Sequence, residues 1–382
     1  METPGSLRPV RARLTSDAKR VRVRADGPIV ISESGGETER GITGNAWRVI
    51  EPDSRTGINI GEVRSTDDIT LTAESGVIEV SIMGQGEWGL PRRYPGRLRL
   101  VANDARHLTV INYVDIEPYV ACVVASEIWP DFHDEAYRAQ AIVARTYVLQ
   151  QMRRRRNAEH DIRTGESTQA YRGLRTDEVG RRARAAARYS RGVVCTTPVG
   201  GTDRLFTTYY SAVCGGVTQS GSVFGESPEL KPLAGGVACD YCRIAPGDTY
   251  RWGPVRLSTE DVRLRLAARD PAFERFSRIR SIAASERTAA GRALAFRVED
   301  SDGRSHVVPA ETLRLAIGAR VLKSSEFTVT IDAGEVRFAD GRGFGHGVGL
   351  CQWGMQGQAL AGKKAGEILR HYYPGSKLSR VQ

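Results

Sequence analysis

One carboxylate is a candidate for acid–base chemistry because of the residues on either side of it. Glu127 follows the apolar residues 121–125 and lies just before Trp129 and Pro130. An acid beside an aromatic ring and an apolar run has a raised pKa, stays protonated near neutral pH and can serve as a general acid. The alternative is an ordinary acid in a loop or first helical turn that pairs with a surface arginine. The residue types alone leave both interpretations open.

The segments around Glu127 are predicted to be a strand followed by a helix. The apolar residues 121–125 are typical of a buried strand that delivers Glu127 to its site. Asp131 is predicted to start the helix, with Asp134 three residues on as a weak capping-box pattern. The helix is rich in alanine and mostly apolar, so we expect more than one of its faces to be buried. Arg145 is the permanent cation in its buried middle.

Two glycine-rich segments supply further candidates. CGGVTQSG (residues 214–221) follows a predicted strand, RLFTTYYSA, and could present backbone N–H groups to a ligand, although alone it is also typical of a tight turn. GRGFGHGVGLCQWGMQG (residues 341–357) contains seven glycines, which allow the backbone to pass close to a ligand. His346, Gln352 and Trp353 are its functional side chains. The alternative for His346 is a histidine that only stabilises the turn.

The six cysteines are Cys122, Cys195, Cys214, Cys239, Cys242 and Cys351. Cys122 lies in the apolar run and is predicted to be a small core residue. Cys239 and Cys242 form a CxxC pair, with Cys214 upstream. These three could bind zinc with a fourth ligand from elsewhere, form a disulfide in an oxidising compartment, or remain thiols. Cys351 and the nearby His346 could act as nucleophile and base, but no orienting acid accompanies them.

Charge and hydropathy limit the partners. The chain of 382 residues has a net charge of +10, with arginine-dense stretches at residues 153–156 and 181–188. Such stretches suit nucleic acid, a membrane surface or an acidic cell-wall polymer, or they form a solvated helix face. No nucleic-acid module accompanies them, so no nucleic acid partner is expected. No run of 18 apolar residues occurs, so no transmembrane segment is expected.

The first residues, METPGSLRPVRARL, lack the apolar core of a signal peptide. Either the protein is not secreted, or its true start lies upstream, or export uses another route.

The predicted fold class is α+β, in two or three structural units. Residues 1–107 are a β-rich N-terminal unit, because short strand patterns alternate there with Gly, Asp and Asn. Residues 108–254 are a mixed α/β core that contains Glu127 and a helix from about Asp177 to Tyr189. Residues 255–382 alternate helices with strands and a hairpin at SDGR, and end with the second glycine-rich segment and a helix over KKAGEILRHYY. This last part is expected to pack on the core.

Three long segments, in the same order along the chain, carry a resemblance to a known family. They are EPYVACVVASEIWPDFHDEAYRAQAIVARTYVL (residues 117–149), YYSAVCGGVTQSGSVFG (residues 209–225) and GRGFGHGVGLCQWGMQGQALAGKKAGEILRHYYPG (residues 341–375). From about residue 8 to its C-terminus the chain resembles the stage II sporulation protein D (SpoIID)/LytB amidase-enhancer family.

The resemblance implies a peptidoglycan-directed protein of the cell envelope. In the sporulation branch it implies a lytic transglycosylase that acts on glycan strands without peptides. The family's catalytic acid falls on Glu127 and its functional arginine on Arg145. The glycan-binding cleft that the resemblance implies would be lined by Tyr209, Tyr210, Ser211, His346, Gln352 and Trp353.

The implied mechanism needs one carboxyl group. Glu127 protonates the glycosidic oxygen between MurNAc and GlcNAc, and the C6 hydroxyl of the same sugar closes on C1 to give a 1,6-anhydro end. Because that nucleophile is intramolecular, the second carboxylate of ordinary glycosidases is dispensable. Arg145 would orient Glu127 or contact the sugar. An arginine paired directly with Glu127 would, however, lower its pKa and oppose the acid role.

The chain departs from the family at one position. Some members carry a zinc site, H-x4-C-x4-5-C-Q, just before a QxYxG segment. Here His160 and TQAYRG remain, but the other ligand positions are Arg163 and Thr168, neither of which is a credible zinc ligand. No cofactor is therefore expected, unless Cys214, Cys239 and Cys242 build a different zinc site.

Two functions from different classes remain. The first is a lytic transglycosylase that cleaves peptidoglycan glycan strands. The second is a non-catalytic wall-binding module that activates a cell-wall amidase, as the LytB branch implies. The presence of both Glu127 and Arg145 favours the enzyme, because a pure enhancer would need neither.

Overall fold

The computed structural model describes residues 7–34, 39–53, 57–84, 86–165 and 168–381. The first six residues of the N-terminal segment therefore lie outside the described residues. By density of contacts the chain forms two compact units. One comprises residues 1–195, 205–207 and 379–382, and the other comprises residues 196–204 and 208–378. Contact density places a boundary between the two units near residue 195. The domain limits at residues 107 and 254 stay a prediction.

The described residues of the first unit form an eleven-stranded sheet, and its first nine strands lie in the part predicted to be β-rich. Its strands are β1 (Val10–Ala18), β2 (Val21–Arg24), β3 (Ile29–Glu33), β4 (Glu39–Ile42), β5 (Arg48–Pro52), β6 (Ile58–Ile60), β7 (Val63–Ser65), β8 (Ile69–Ile82), β9 (Arg92–Ala102), β10 (Leu108–Val114) and β11 (Ile162–Arg163). Their order is β11-β1-β10-β9-β8-β2-β5-β6-β7, and β3 pairs with β8 and β4. Apolar residues alternate to one face, as in β2, where Val21 and Val23 are buried and Arg24 is exposed.

Among the described residues of the first unit, three α-helices accompany the sheet: α1 (Ile116–Glu127), α2 (Asp134–Arg154) and α3 (Glu178–Tyr189). The predicted strand over residues 121–125 is wrong, because those residues belong to α1 and are buried. A short apolar run does not separate a buried strand from a buried helix. Pro118 lies in the first turn of α1, where a proline without an N–H is tolerated.

The start of α2 also differs from the prediction, whereas α3 agrees with it. The helix does not begin at Asp131 but at Asp134, and His133 caps it by accepting a hydrogen bond from the Glu135 N–H at 3.2 Å. Asp177 caps α3 by accepting from the Gly180 N–H at 3.1 Å. The helix predicted from Asp177 to Tyr189 is thereby confirmed.

In the part of the chain that the structure describes, the second unit consists of short sheets, four α-helices and four short 3-10 helices. The chain crosses between the units in β12 (Val193–Val199), β13 (Thr202–Leu205) and the last strand, given below. The other strands are β14 (Tyr210–Ser211), β15 (Arg251–Trp252), β16 (Val255–Ser258), β17 (Ile279–Arg287), β18 (Ala293–Asp300), β19 (Ser305–Pro309), β20 (Thr328–Asp332), β21 (Glu335–Ala339), β22 (Gly341–Arg342), β23 (Leu350–Cys351) and β24 (Lys377–Arg380). The helices are α4 (Thr259–Ala267), α5 (Ala310–Ile317), α6 (Gln352–Leu360) and α7 (Ala365–Tyr372).

The α+β fold class is confirmed, and so is the hairpin at SDGR, which joins β18 to β19. The predicted strand RLFTTYYSA is wrong in extent, because only β13 and the two-residue β14 form there. The core of this unit is aromatic: Phe327 stacks on Phe296 with ring centroids 5.1 Å apart and meets Phe338 edge-on at 5.5 Å. This core supports the sheets on which the glycine-rich segments are anchored.

Candidate functional site

Helix α1 carries a carboxylate at each end. Glu117 is the second residue of this twelve-residue helix and Glu127 is the last. Ten residues of α-helix separate them, which corresponds to about 15 Å along the axis. The two carboxylates therefore lie in different surroundings, although both belong to one rigid helix.

Arg145 pairs with Glu117 and not with Glu127. Its Nε and Nη2 donate to the two carboxylate oxygens of Glu117 at 2.9 and 2.6 Å. The remaining N–H groups donate to the Ser190 hydroxyl and to the carbonyls of Val193 and Ala187, at 3.1–3.3 Å. Arg145 is fully buried. Because all five donors of the guanidinium are used, Arg145 holds α1 in place and offers no N–H to a sugar or to Glu127.

Glu127 is half-buried, and a backbone amide holds it. The Ala170 N–H donates to its Oε1 at 2.6 Å. One residue earlier in α1, the Ser126 hydroxyl accepts from the Arg172 N–H at 3.3 Å. The segment TQAYRG (residues 168–173) thus fixes the C-terminal end of α1. The predicted acid is consequently held at a defined position, with part of its surface open to solvent.

The same segment fixes the inner face of α1 through aromatic side chains. Tyr119 donates its hydroxyl to Gln169 at 2.9 Å, and Tyr171 donates to Asn112 at 2.6 Å. The rings of Tyr119 and Tyr171 lie 4.8 Å apart. Burial raises the pKa of both phenols well above the usual value, so both remain neutral donors. Sequence reasoning treated TQAYRG only as a remnant of a zinc site and missed this supporting role.

The position of the family's zinc site is occupied by other interactions. The Nε2 atom of His160 lies 3.1 Å from an N–H of Arg155, and burial lowers the pKa of this histidine to about 4. Arg163 is exposed, and the Thr168 hydroxyl donates to the Arg163 carbonyl. Neither Arg163 nor Thr168 presents a metal ligand to His160.

In the second unit, the pairing of β14 with β23 brings the predicted glycan-binding residues together. Tyr210 and Ser211 lie opposite Leu350 and Cys351 in a parallel register. The Ser211 hydroxyl accepts from the Gly347 N–H at 3.1 Å. Tyr209 immediately precedes this pair, and Gln352 and Trp353 open α6 immediately after it. Glu127 and Arg145 belong to the first unit, so the structure groups the predicted site residues as two sets.

His346 is a neutral, hydrogen-bonded residue of the glycine-rich segment. Its Nδ1 accepts from the Val348 N–H at 3.0 Å, and its ring meets Tyr209 and Phe224 edge-on, at 6.1 and 5.1 Å between centroids. Burial, reinforced by the charge of Arg292, lowers its pKa to about 3. An imidazole with so low a pKa takes up a proton poorly, and its Nδ1 is already engaged by the Val348 N–H. Both features disfavour the pairing of His346 as base with Cys351 as nucleophile.

Phe224 is a candidate that the sequence did not indicate. Its ring is 41% exposed and stacks on Tyr209 at 4.8 Å, while the Tyr209 hydroxyl donates to Glu226 at 3.0 Å. Stacked aromatic rings at a surface are the kind of platform on which sugar rings pack. The signal that could have found it is the residue pattern SVFG inside the second resembling segment.

The glycines of residues 341–357 approach a side chain of the chain itself. A Cβ at Gly347 would lie 2.8 Å from the guanidinium carbon of Arg292, and one at Gly343 would lie 2.6 Å from its Nη2. The Gly345 carbonyl accepts from Nη1 of Arg292 at 2.8 Å. The sequence predicted close approach of this backbone to a ligand, whereas the group approached in the structure is Arg292, which is fully buried. Binding of a ligand by this segment stays a prediction.

Four of the cysteines form one cluster. The Sγ atoms of Cys214, Cys239, Cys242 and Cys351 all lie within 4.8 Å of one another, and all four residues are buried. The cluster contains the three cysteines predicted as an alternative zinc site. Cys351, which the sequence indicated only as a possible nucleophile beside His346, supplies the fourth thiol. Cys122 is buried elsewhere, in α1, as predicted for a core residue.

Comparison with known proteins defines the class to which this fold and site belong. Residues 104–196, which contain α1 and α2, match the stage II sporulation protein family, and residues 244–349 match a domain of unknown function, DUF8618. The chain belongs to the SpoIID/LytB amidase-enhancer family. Its function is cell-wall-related.

Three relatives show how far the similarity extends. An uncharacterized protein of Brachyspira hyodysenteriae is 30% identical over 377 residues, which is 96% of this chain and 91% of the relative. The stage II sporulation protein D of Bacillus amyloliquefaciens is 24% identical over 291 residues, 71% of this chain and 76% of the relative. The amidase enhancer of Bacillus subtilis strain 168 is 43% identical, but over 72 residues, 19% of this chain and 10% of the relative. Among the described residues, no helix is both long and apolar enough to cross a membrane.

Proposed function

We propose that this protein cleaves the glycan strands of peptidoglycan as a lytic transglycosylase of the cell envelope, with Glu127 as general acid and then base. The observation that carries the proposal is the fixed position of the Glu127 carboxyl group. Glu127 is the terminal residue of a helix whose other end is locked by the Glu117–Arg145 pair, and its carboxyl group is held by the Ala170 amide. A catalytic acid needs this kind of fixed position.

The chemistry follows from this single carboxyl group. Glu127 donates its proton to the glycosidic oxygen as the bond from that oxygen to C1 of MurNAc breaks. The C6 hydroxyl of the same MurNAc then forms a bond to C1, and its proton returns to Glu127. Water is not consumed, and the products are an anhydro-MurNAc end and a free GlcNAc hydroxyl. The Ala170 N–H stabilises the carboxylate that exists between the two steps.

The glycan is bound, in this proposal, by the residues around β14 and β23. Tyr209 and Phe224 offer stacked rings, and the neutral His346 packs against them. Tyr210, Ser211, Gln352 and Trp353 belong to the same pair of segments. Arg145 is a positioning residue rather than a catalytic one, because its guanidinium is buried and fully bonded.

A second candidate function is the activation of a cell-wall amidase without cleavage of the glycan. It is favoured by the 43% identity to the amidase enhancer of Bacillus subtilis. In that case the residues around β14 and β23 bind the wall, the partner is an amidase, and Glu127 has no catalytic role.

Mass spectrometry of products from peptide-free glycan strands tests the proposal. Glu178→Gln is the control, because Glu178 is exposed and pairs with the exposed Arg181. We expect anhydro-ended fragments from the wild type and the control, and a rate lower by roughly 10²- to 10⁴-fold for Glu127→Gln. Reducing ends instead of anhydro ends would make water the nucleophile. Intact strands with all three proteins, together with retained glycan binding, would overturn the enzyme in favour of the enhancer.

A further inference from the structure

The thiol cluster of the second unit has the geometry of a metal site. Its four sulfur atoms lie within 4.8 Å of one another, and Cys214 Sγ lies 3.8 Å from Cys242 Sγ. A tetrahedral zinc ion with Zn–S bonds of about 2.3 Å separates its sulfur ligands by about 3.8 Å. A disulfide requires about 2.0 Å between its sulfur atoms. The cluster therefore matches four ligands of one ion better than it matches two disulfides.

We propose that Cys214, Cys239, Cys242 and Cys351 bind one structural zinc ion. Four cysteines and no open position are the composition of a closed zinc site. The ligands come from a CxxC turn, from the segment after β14 and from β23. The ion would therefore tie β14 to β23, the strands in or next to which the predicted glycan-binding residues lie. This site is distinct from the position of His160, Arg163 and Thr168.

The surroundings of the sulfur atoms supply the hydrogen bonds that thiolates need. Cys351 Sγ accepts from the N–H groups of Cys214 and Gly354, at 3.2 and 3.4 Å. It also caps the N-terminus of α6, where the helix dipole favours negative charge. The Tyr372 hydroxyl lies 3.0 Å from Cys239 Sγ. Such outer-shell donors are a regular part of cysteine metal sites.

The packing around the cluster preserves the positions of the sulfur atoms. A Cβ at residue 354 would lie 2.4 Å from Cys239 Sγ and 2.0 Å from the Tyr372 hydroxyl. Gly354 is therefore required for α6 to begin this close to the cluster. A helix that approached less closely would not bring Cys351 to the CxxC turn.

The electrostatics point to the same ion. Four thiolates and one Zn²⁺ carry a net charge of −2, which a buried site must balance. The guanidinium of Arg292 is fully buried and donates to the Cys214 carbonyl at 2.9 Å. Among the described residues its Nε has no hydrogen-bond partner, and no carboxylate forms an ion pair with it. A dianionic zinc–thiolate centre places the missing negative charge beside this cation.

Iron is the competing metal for four cysteines. A single iron ion would occupy the same tetrahedron, whereas a four-iron cluster requires thiolates that are spread around its corners. The sulfur separations below 4.8 Å fit one ion. The same geometry fits zinc and a single iron ion, so we assign zinc because four cysteines are a standard ligand set of structural zinc sites, and the experiment measures iron alongside it.

The test is the metal content of the purified full chain, prepared under reducing conditions in medium that contains zinc and iron. Inductively coupled plasma mass spectrometry is expected to give about one zinc per chain and negligible iron. The matched controls are Cys122→Ala and Cys195→Ala, since both residues are buried cysteines outside the cluster. They should retain the zinc, and Cys239→Ser and Cys351→Ser should lose at least about 90% of it.

A second measurement does not depend on whether the cysteine variants fold. Wild-type protein is treated with a mercurial thiol reagent, and zinc release is followed with a colorimetric metal indicator. After excess dithiothreitol has removed the mercurial from the thiols and both have been washed away, reconstitution with Co²⁺ should give the charge-transfer absorption of tetrahedral cobalt thiolate. Iron in place of zinc would overturn the choice of metal. A wild-type chain without metal that binds no Co²⁺, or that is lighter by four hydrogen atoms owing to two disulfides, would overturn the site.

Discussion

Each unit of this protein contains an arginine without exposed surface, and the two are neutralised in different ways. In the first unit, Arg145 forms a two-pronged ion pair with Glu117, and every donor of its guanidinium has an acceptor. In the second unit, Arg292 donates to the carbonyls of Gly345 and Cys214, and its Nε has no partner among the described residues. Carbonyl dipoles alone compensate a buried charge poorly.

The two arginines differ in whether a carboxylate of the same unit neutralises them. In the first unit, Glu117 of α1 neutralises the charge of the buried Arg145. The second unit has its acid, Glu326, paired with Arg342 instead. Burial lowers the pKa of the Arg292 guanidinium, and Glu326 and the cluster thiols Cys214 and Cys351 act in the opposite direction. The proposed zinc–thiolate centre would provide the negative charge in the second unit that Glu117 provides in the first.

Breaking the ion pair of Arg145 with Glu117 should have the largest effect. Arg145→Met leaves Glu117 half-buried without its cation and leaves three further acceptors unsatisfied. We expect the free energy of unfolding of the first unit to fall by about 3–5 kcal/mol. Urea denaturation measures the loss, and hydrogen exchange of the α1 amides assigns it to this helix.

The control for this prediction is Arg181→Met, because Arg181 is an exposed arginine that pairs with the exposed Glu178. It should change stability by less than about 0.5 kcal/mol. A loss below about 1 kcal/mol for Arg145→Met would contradict the view that Arg145 locks α1. The proposed glycan cleavage should fall in parallel with the stability of α1, since in this proposal Arg145 acts on Glu127 only through the helix.

The replacement of Arg292 should have an effect that depends on the metal. In zinc-loaded protein, Arg292→Met removes two charge-assisted hydrogen bonds and the counter-charge of the proposed centre, so we expect a loss of about 2–3 kcal/mol. In metal-free protein the same change removes a poorly compensated buried charge, so the loss should fall below about 1 kcal/mol. Denaturation of both forms, with and without zinc, measures the difference. Equal losses of stability with and without zinc would mean that Arg292 does not act as the counter-charge of the cluster.

Elements with a local signal could be predicted from the sequence. The β-rich first unit, α3, the SDGR hairpin and the C-terminal helix follow from periodicity, caps and turn residues, which are local properties. Residues 121–125 could not be assigned this way. They are apolar throughout because α1 is buried on several sides, so helical periodicity is hidden and the run resembles a strand.

The partners of the site residues could not be predicted, because they are tertiary. Glu127 and Arg145 were singled out from local context, but Glu117 as the acid opposite Arg145 requires the packing of α1 on α2. Likewise, the CxxC pair indicated a possible zinc site, whereas Cys351 reaches this cluster only because β23 pairs with β14. Residue types identified candidate chemistry, and the fold determined which groups meet.

The smallest expected effect is the pH dependence that His346 gives to the stability of the second unit. The pKa of His346 also reports on the charge of Arg292. Burial and the charge of Arg292 lower its pKa to about 3, against about 6.5 in an unfolded chain. The unfolded state therefore binds more protons between these values, and stability falls as the pH drops below about 6.5. The contribution lost between pH 7.5 and pH 5 should be about 1–2 kcal/mol. His346→Gln should lack it, whereas the buried His160 titrates equally in both proteins.

Arg292→Met then sharpens the comparison of the two arginines. If the guanidinium carries its charge in the folded protein, its removal raises the pKa of His346, because a neighbouring cation no longer opposes protonation. The loss of stability between pH 7.5 and pH 5 hardly depends on the folded-state pKa while that pKa stays well below 5, so the pKa of His346 itself must be measured. NMR titration of its imidazole should give a higher pKa in Arg292→Met and an unchanged pKa in Arg145→Met. An unchanged pKa in Arg292→Met would mean that the charge on Arg292 does not reach His346 and that burial alone keeps this histidine neutral.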